Sequence, residues 1–152
     1  MATTRSRHAD NHMDAKLKHL EFIQETIKRM AKNSFLLRGW SITLVIAIFT
    51  IASQTYNPIY LWVALFVTIV FWLLDSYYLF QERRFRCLYD EVRVKDPSAI
   101  DFSMALPKNH CHRCTWPSSA KSPIFLVFYG VAAVILVGAL LFIYFNISIT
   151  LK

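Results

Sequence analysis

The sequence predicts an all-α membrane protein with three transmembrane helices, the first two forming a long antiparallel hairpin that extends into a cytoplasmic helical stem. The prediction rests on two stretches without charged residues, 39–74 and 122–151. A bilayer core is about 30 Å thick and is crossed by roughly 20 helical residues, so the first stretch holds two spans and the second holds one. Both stretches are continuously apolar rather than alternating, which indicates helices and not barrel strands.

The Lys and Arg residues predict the orientation of these spans. Eight lie in residues 1–38, eight in residues 81–121 and none around Tyr56. Short basic segments stay on the cytoplasmic side of a membrane. We therefore expect the amino terminus and the 81–121 segment to be cytoplasmic, and the carboxyl terminus to be on the opposite side.

Helix-breaking residues and charge boundaries divide the chain. Asn57 and Pro58 interrupt the first apolar stretch, and Pro58 suits the first turn of a following helix. We expect six segments along the chain. A disordered tail at 1–12 precedes a stem helix at 13–34 and a first span at 35–53. A second span at 59–80, a cytoplasmic helix extension with a loop at 81–121 and a third span at 122–146 follow.

The short turn at 54–58 makes the first two helices antiparallel neighbours, so residues whose numbers sum to about 112 lie at the same height. Arg38 is then opposite Asp75, one or two turns inside the membrane boundary. An unpaired charge at that depth costs several kcal/mol, which favours an ion pair between them. The alternative is that Arg38 extends independently to the lipid–water interface.

Apolar residues at helical spacing continue beyond the membrane on both helices. The same height rule places Ile23 opposite Leu88 or Tyr89, Ile27 opposite Phe85, and Leu20 opposite Val92, with Leu17 and Met30 in the same apolar stripe. This pattern predicts a coiled stem built from helices at about 14–53 and 58–95. The alternative is an amphipathic helix lying flat on the lipid.

Two sets of polar residues are candidates for binding and conduction. An anionic ligand such as an oligonucleotide would suit the basic residues Arg83, Arg84, Arg86 and Arg93. The alternative is that these residues only fix topology and attract anionic lipid, at about 1 kcal/mol each. The candidate pore-lining residues are Ser41, Thr50, Ser53 and Gln54, although such residues are also ordinary in membrane helices.

A short Cys/His patch comprises His110, Cys111, His112 and Cys114. The spacing of its two thiols is that of a zinc knuckle, but a structural zinc site normally takes four ligands from two separated pairs. The patch is therefore either a zinc site or a plain surface loop. In a surface loop the thiols would be reduced, because cytoplasmic disulfides are rare. We expect no other cofactor. We also expect no enzyme activity, because the sequence has no phosphate loop, HExxH motif or nucleophile triad.

Two segments together resemble a known group of proteins over roughly residues 13–95. They are Asn33, Ser34, Phe35, Leu36, Leu37, Arg38, Gly39, Trp40 and Ser41 at the first span, and Phe71, Trp72, Leu73, Leu74, Asp75, Tyr77, Leu79, Gln81, Glu82, Arg83, Phe85, Arg86, Leu88 and Tyr89 at the second. The resemblance is to small multi-span bacterial membrane effectors encoded beside nucleotidyltransferases in anti-phage defence islands, of the Hailong or CBASS-like type.

This resemblance implies an effector that perturbs the bacterial inner membrane. The orientation predicted from the basic residues would then put the amino terminus in the cytoplasm and the carboxyl terminus in the periplasm. It further implies an ion channel controlled by an oligonucleotide that a partner nucleotidyltransferase makes. Three spans cannot enclose a conducting pathway, so a channel requires a homo-oligomer in contact with membrane lipid. The alternative is a non-conducting, membrane-anchored adaptor whose coiled stem docks a soluble partner.

Overall fold

The computed structural model describes the backbone of residues 2–55, 57–106 and 115–150, and the side chains of residues 11–55, 57–106 and 115–145. Within these residues the chain is helical and has no strand. The helices are α1 (Ala2–Thr55), α2 (Ile59–Val94), α3 (Trp116–Ala120) and α4 (Pro123–Thr150), with a 3₁₀ turn at Pro97–Ala99.

Three of these helices are long and apolar enough to cross a membrane. Their candidate spans lie within Asn11–Thr55, Ile59–Val94 and Pro123–Phe145, with mean hydropathy values of 1.9, 2.0 and 2.8. The prediction of an all-helical chain with three such helices is confirmed. The helical backbone of α1 begins at Ala2. The expected tail at 1–12 falls largely on residues whose side chains lie outside the described part, and it stays a prediction, as do the other segment boundaries.

Helices α1 and α2 pack against each other on both sides of the predicted membrane boundary. Near the turn between them, Ala52, Leu61 and Ala64 form a buried cluster with Leu136 of α4. Further from the turn, Ile23 is completely buried against Leu88 and Val92, a second cluster that we call the distal core. Leu20, Ile27, Phe85 and Tyr89 pack around the distal core.

The segment after α2 folds back over the distal core. Ile100 and Leu106 pack on this core. Phe102 has a φ of 54°, in the left-handed region that bulky residues seldom adopt. Its ring meets the buried ring of His19 edge-on, with centroids 5.6 Å apart. The segment that follows α2 in the chain therefore packs against α1 as well.

A lysine from α1 closes the end of α2. Lys16 Nζ donates hydrogen bonds to the carbonyl oxygens of Arg93, at 3.0 Å, and Lys95, at 2.7 Å. These carbonyls carry the negative end of the helix dipole, so a cation there is favourable. The next residue, Asp96, accepts hydrogen bonds from the backbone and side chain of Ser98, which hold its pKa below the ordinary value.

Helices α3 and α4 are attached mainly to α2. Trp72 Nε1 donates to the carbonyl oxygen of Ala120 at 3.2 Å, just before α4 begins. Arg83 donates to the hydroxyl of Ser119 at 3.3 Å, in α3. Between α1 and α4 lies an apolar groove of about 420 Å³, whose walls include Ile42, Val45 and Val131.

Candidate functional site

The most concentrated polar site among the described residues surrounds Asp75, whose side chain is completely buried. Arg38 Nε donates to Asp75 Oδ2 at 2.8 Å. The hydroxyl of Ser34 donates to Asp75 Oδ1. Ser34 also accepts a hydrogen bond from Arg38 Nη2 at 3.0 Å, so the three side chains form a closed arrangement.

The third apolar helix contributes to the same site. The hydroxyl of Tyr129 donates to Asp75 Oδ2 at 3.3 Å. The Arg38 guanidinium lies 5.0 Å from the centre of the Phe125 ring, a cation–π contact. Ser34 and Arg38 are one turn apart on α1, and Phe125 and Tyr129 are one turn apart on α4. The site thus joins all three candidate membrane helices, and we call it the Asp75 network.

The chemistry of the Asp75 network is that of charge neutralisation. A carboxylate inside an apolar helix pair is stable only when a cation and hydrogen-bond donors surround it. Arg38 supplies the positive charge and keeps 27% of its side chain exposed, whereas Asp75 has none exposed. Removing either partner from a buried pair costs about 3–5 kcal/mol, because the other charge is left uncompensated. The network is thus well suited to fix how the three helices pack.

The structure brings Arg38 and Asp75 together, as the height rule predicted. Sequence reasoning missed Ser34, Tyr129 and Phe125. Ser34 could have been found, because it lies one helical turn from Arg38 and therefore on the same face of α1. No sequence signal identified the two residues of α4, since no short turn fixes the height of α4 relative to α2.

The four arginines proposed as a ligand site do not converge. Arg83 contacts Ser119 in α3, as described above. Arg84 lies 5.5 Å from the Phe80 ring, and Arg86 pairs with Glu82 at 2.7 Å. Arg93 is exposed near the end of α2, about 15 Å along the helix from Arg83. These arginines therefore make separate local contacts rather than one pocket.

The four candidate pore residues separate into two groups. Ser41 is buried within the protomer, with 3% of its surface exposed, so in this conformation it is not available to line a pore. Thr50, Ser53 and Gln54 are exposed. The hydroxyl of Thr50 donates to the Ile46 carbonyl at 2.8 Å, and that of Ser53 to the Thr50 carbonyl at 2.7 Å.

Two of the exposed members, Thr50 and Gln54, belong to a longer stripe on α1 that we call the polar stripe. Its residues are separated by three or four positions, are small or polar, and are all exposed: Gly39, Thr43, Ala47, Thr50 and Gln54. The hydroxyl of Thr43 donates to the Gly39 carbonyl at 3.0 Å. Helical spacing places the whole polar stripe on one face of α1.

The proposed zinc residues His110, Cys111, His112 and Cys114 lie outside the described residues. In the part that the structure describes, no group of three or more His, Cys, Asp or Glu side chains could hold a metal ion. Cys87, which could have added a ligand, is disulfide-bonded.

Comparison with known proteins gave no match. No family model, no curated protein and no solved structure is significantly similar to the chain. The fold and the Asp75 network define an all-helical protein with three helices able to cross a membrane. The resemblance to anti-phage effectors stays a hypothesis.

Proposed function

We propose that the protein is a homo-oligomeric ion channel or pore of the bacterial inner membrane. In this proposal it acts as an anti-phage defence effector, gated through its basic cytoplasmic part by a nucleotide or oligonucleotide. The observation that carries the proposal of conduction is the polar stripe on α1. The resemblance at the first two spans motivates the defence role.

The polar stripe differs from the rest of the membrane-facing surface. It extends over 16 residues from Gly39 to Gln54, a helical length of about 22 Å, most of a bilayer core. In the second span the hydroxyl of Thr68 is buried and donates to the Ala64 carbonyl at 2.8 Å. The exposed surface of α4 between Ile124 and Phe145 is apolar apart from Tyr144. In an oligomer, the polar stripe is the surface best suited to face water.

The protomer leaves most of its apolar surface available for lipid or further copies. Only 11%, 28% and 17% of the most apolar windows of α1, α2 and α4 are buried within the chain. Cyclic repetition of the protomer would place the polar stripe of each copy around a common axis. The other exposed faces of the helices would meet lipid or the neighbouring copy.

The Asp75 network supports this arrangement by fixing the rotation of α1. Arg38 immediately precedes Gly39, the first residue of the polar stripe, and its guanidinium is held by Asp75 of α2 and Phe125 of α4. Rotation of α1 about its axis would break the ion pair. The direction in which the polar stripe points is therefore coupled to the packing of all three helices.

The cytoplasmic gating region in this proposal is the stem formed by α1 and α2 around the distal core. The two basic segments carry net charges of +4 (residues 1–38) and +3 (residues 81–121). Placing both in the cytoplasm follows the positive-inside rule. This surface suits an anionic regulator, and phosphate contacts would make its binding weaker at high salt.

Cysteine accessibility in liposomes tests the proposed pore. We expect the purified protein to conduct ions, and a charged, membrane-impermeant thiol reagent to reduce the current of the Thr43→Cys and Thr50→Cys variants. Leu44→Cys is the matched control, because Leu44 is 40% exposed but points to another face of the same helix. The parent chain, treated identically, controls for native cysteines. Equal sensitivity of all three variants, or none, would exclude the polar stripe as the pore lining.

A non-conducting adaptor is the second candidate. The observation that favours it is exposed apolar surface on the stem, where Met13 is 47% and Leu17 56% exposed. Such side chains suit the docking of a soluble protein. A purified oligomer that passes no ions with or without nucleotides, but binds a soluble partner through these residues, would establish the adaptor function.

A further inference from the structure

A basic groove lies on α1, away from the predicted arginines. It has a volume of about 620 Å³ and is lined by Phe22, Glu25, Thr26, Lys28, Arg29, Lys32 and Met104. All but Met104 come from about three consecutive turns of α1. Met104 forms one edge of the groove because the segment after α2 folds back over α1.

The cations of this groove have no partner among the described residues. Among the described residues, the ion pairs within 4.0 Å are Arg38 with Asp75, Arg86 with Glu82, and Lys95 with Glu91, and none of these residues lines the groove. Arg29 does not pair with Glu25, although their spacing permits it. Lys28 and Lys32 are four residues apart, and like charges at that spacing destabilise a helix slightly. A bound anion would offset this repulsion.

We propose that this groove binds a phosphate group of a small ligand or a lipid, with Lys28, Arg29 and Lys32 as the phosphate donors. Arg29 provides a guanidinium that can hold two phosphate oxygens, and the lysines provide point charges. Phe22, 62% exposed, and Met104, 40% exposed, offer an aromatic and an apolar surface beside the charges. A ligand that joins phosphate to a flat ring matches both parts of the groove.

Two sources of phosphate can reach this position. Lys32 lies three residues before the expected start of the first span at residue 35, a rise of about 4.5 Å. That depth corresponds to lipid headgroups, yet the groove is also open to solution. An anionic phospholipid and a soluble phosphate compound therefore present the same chemistry, and experiment separates them. The groove can bind phosphate whether or not the protein conducts ions. A role of this binding in gating rests on the proposed function.

Binding measurements on the full chain test the groove. In neutral phosphatidylcholine nanodiscs, titration with pyrophosphate and with ATP reports soluble ligands. Retention of phosphatidylglycerol against phosphatidylcholine during purification reports the lipid source. We expect the triple variant Lys28→Gln, Arg29→Gln, Lys32→Gln to lose at least about tenfold in affinity for whichever source binds, with a shallower salt dependence.

The matched control is the triple variant Lys18→Gln, Lys95→Gln, Lys121→Gln, which removes the same charge at exposed positions outside the groove. It should retain the parent affinity. Phe22→Ala should weaken ATP about fivefold or more but leave pyrophosphate unchanged, since only ATP has a base to stack. Equal losses in both triple variants, or no selective binding of any probe by the parent, would overturn the proposal. Binding without ion flux would refute conduction while leaving the groove intact.

Discussion

Asp75 accepts hydrogen bonds from side chains of two helices, α1 and α4, and these side chains contribute differently to stability. Ser34 and Arg38 come from α1, whereas Tyr129 comes from α4. The ion pair with Arg38 neutralises the charge, and the hydroxyls satisfy the remaining lone pairs of the carboxylate. Because Asp75 has no contact with solvent, no water replaces a donor that is removed.

Loss of one charge at this site should be more harmful than exchange of both. Arg38→Ala or Asp75→Ala should each destabilise the protein by about 3–5 kcal/mol, since each strands the opposite charge. The exchange Arg38→Asp with Asp75→Arg should restore part of the stability. Thermal unfolding in detergent measures these effects, with Arg84→Ala as the control because Arg84 makes no ion pair within 4.0 Å with another described residue. Parent-like stability of both single variants would show that the pair is not structural.

A milder change tests the attachment of α4. Tyr129→Phe keeps the ring, which packs edge-on against Phe128 and Phe125, but removes the hydrogen bond to Asp75. A hydrogen bond to a charged group contributes about 1.5–3 kcal/mol, so we expect a loss in that range. Tyr144→Phe is the matched control because Tyr144 is 76% exposed. The same detergent assay should leave this control unchanged, and equal shifts in the two variants would contradict the assignment.

At the scale of helices, the sequence predicted the relative height of α1 and α2, because a short turn joins them. The break at Asn57 and Pro58 fixes the height of α2 relative to α1, and this alone places Ile23 beside Leu88 and Arg38 beside Asp75. The approach of α4 could not be predicted in this way, because a long segment precedes it. Leu17 was expected in the apolar stripe, yet it is 56% exposed.

Two further features depend on tertiary contacts that periodicity does not report. Ile100 and Leu106 cover the distal core although they lie outside any helix. The basic groove forms where Met104 approaches Lys28 and its neighbours. Helical spacing identifies which residues share a face, but it gives no information on where an irregular segment returns to the helix. For this reason the sequence suggested Arg83 and Arg86 as ligand residues instead.

The distal core should be sensitive to charge at its centre. Ile23→Asp places a carboxylate at a completely buried position, so we expect a loss of several kcal/mol and weaker assembly of the stem. Leu17→Asp makes the same chemical change at a position that is 56% exposed and should have little effect on stability. Helical content and thermal unfolding measure both, and similar behaviour of the two variants would argue against the distal core.

Cross-linking gives a direct measurement of helix proximity in the stem. Cysteines at Ile23 and Leu88 should form a disulfide on mild oxidation, since these residues pack together in the distal core. The pair Leu17→Cys with Leu88→Cys is the control, because Leu17 lies more than one turn further along α1. Absence of the first cross-link, with α1 protected by lipid, would show that the helix lies on the membrane surface instead.

At the scale of the whole molecule, expression in bacteria should depolarise the inner membrane. If the ligand holds a closed state, the groove variant lacking Lys28, Arg29 and Lys32 should be more toxic than the parent. If the ligand opens the channel, the same variant should lose activity. A voltage-sensitive dye reports both results, and the triple variant of Lys18, Lys95 and Lys121 is again the control. Unchanged membrane potential in every case would favour the adaptor.

The pairing of Arg38 with Asp75 also constrains the order in which the chain enters a bilayer during synthesis. The cation leaves the ribosome first, and its compensating carboxylate follows 37 residues later. Inserting an isolated Arg or Asp at the centre of a helix costs about 2.5–3.5 kcal/mol on translocation scales. Entry of α1 and α2 together, as an electrically neutral unit, avoids placing either charge in lipid alone. Helix α4 carries no charge, so it can enter last and bring Tyr129 to a carboxylate that is already neutralised.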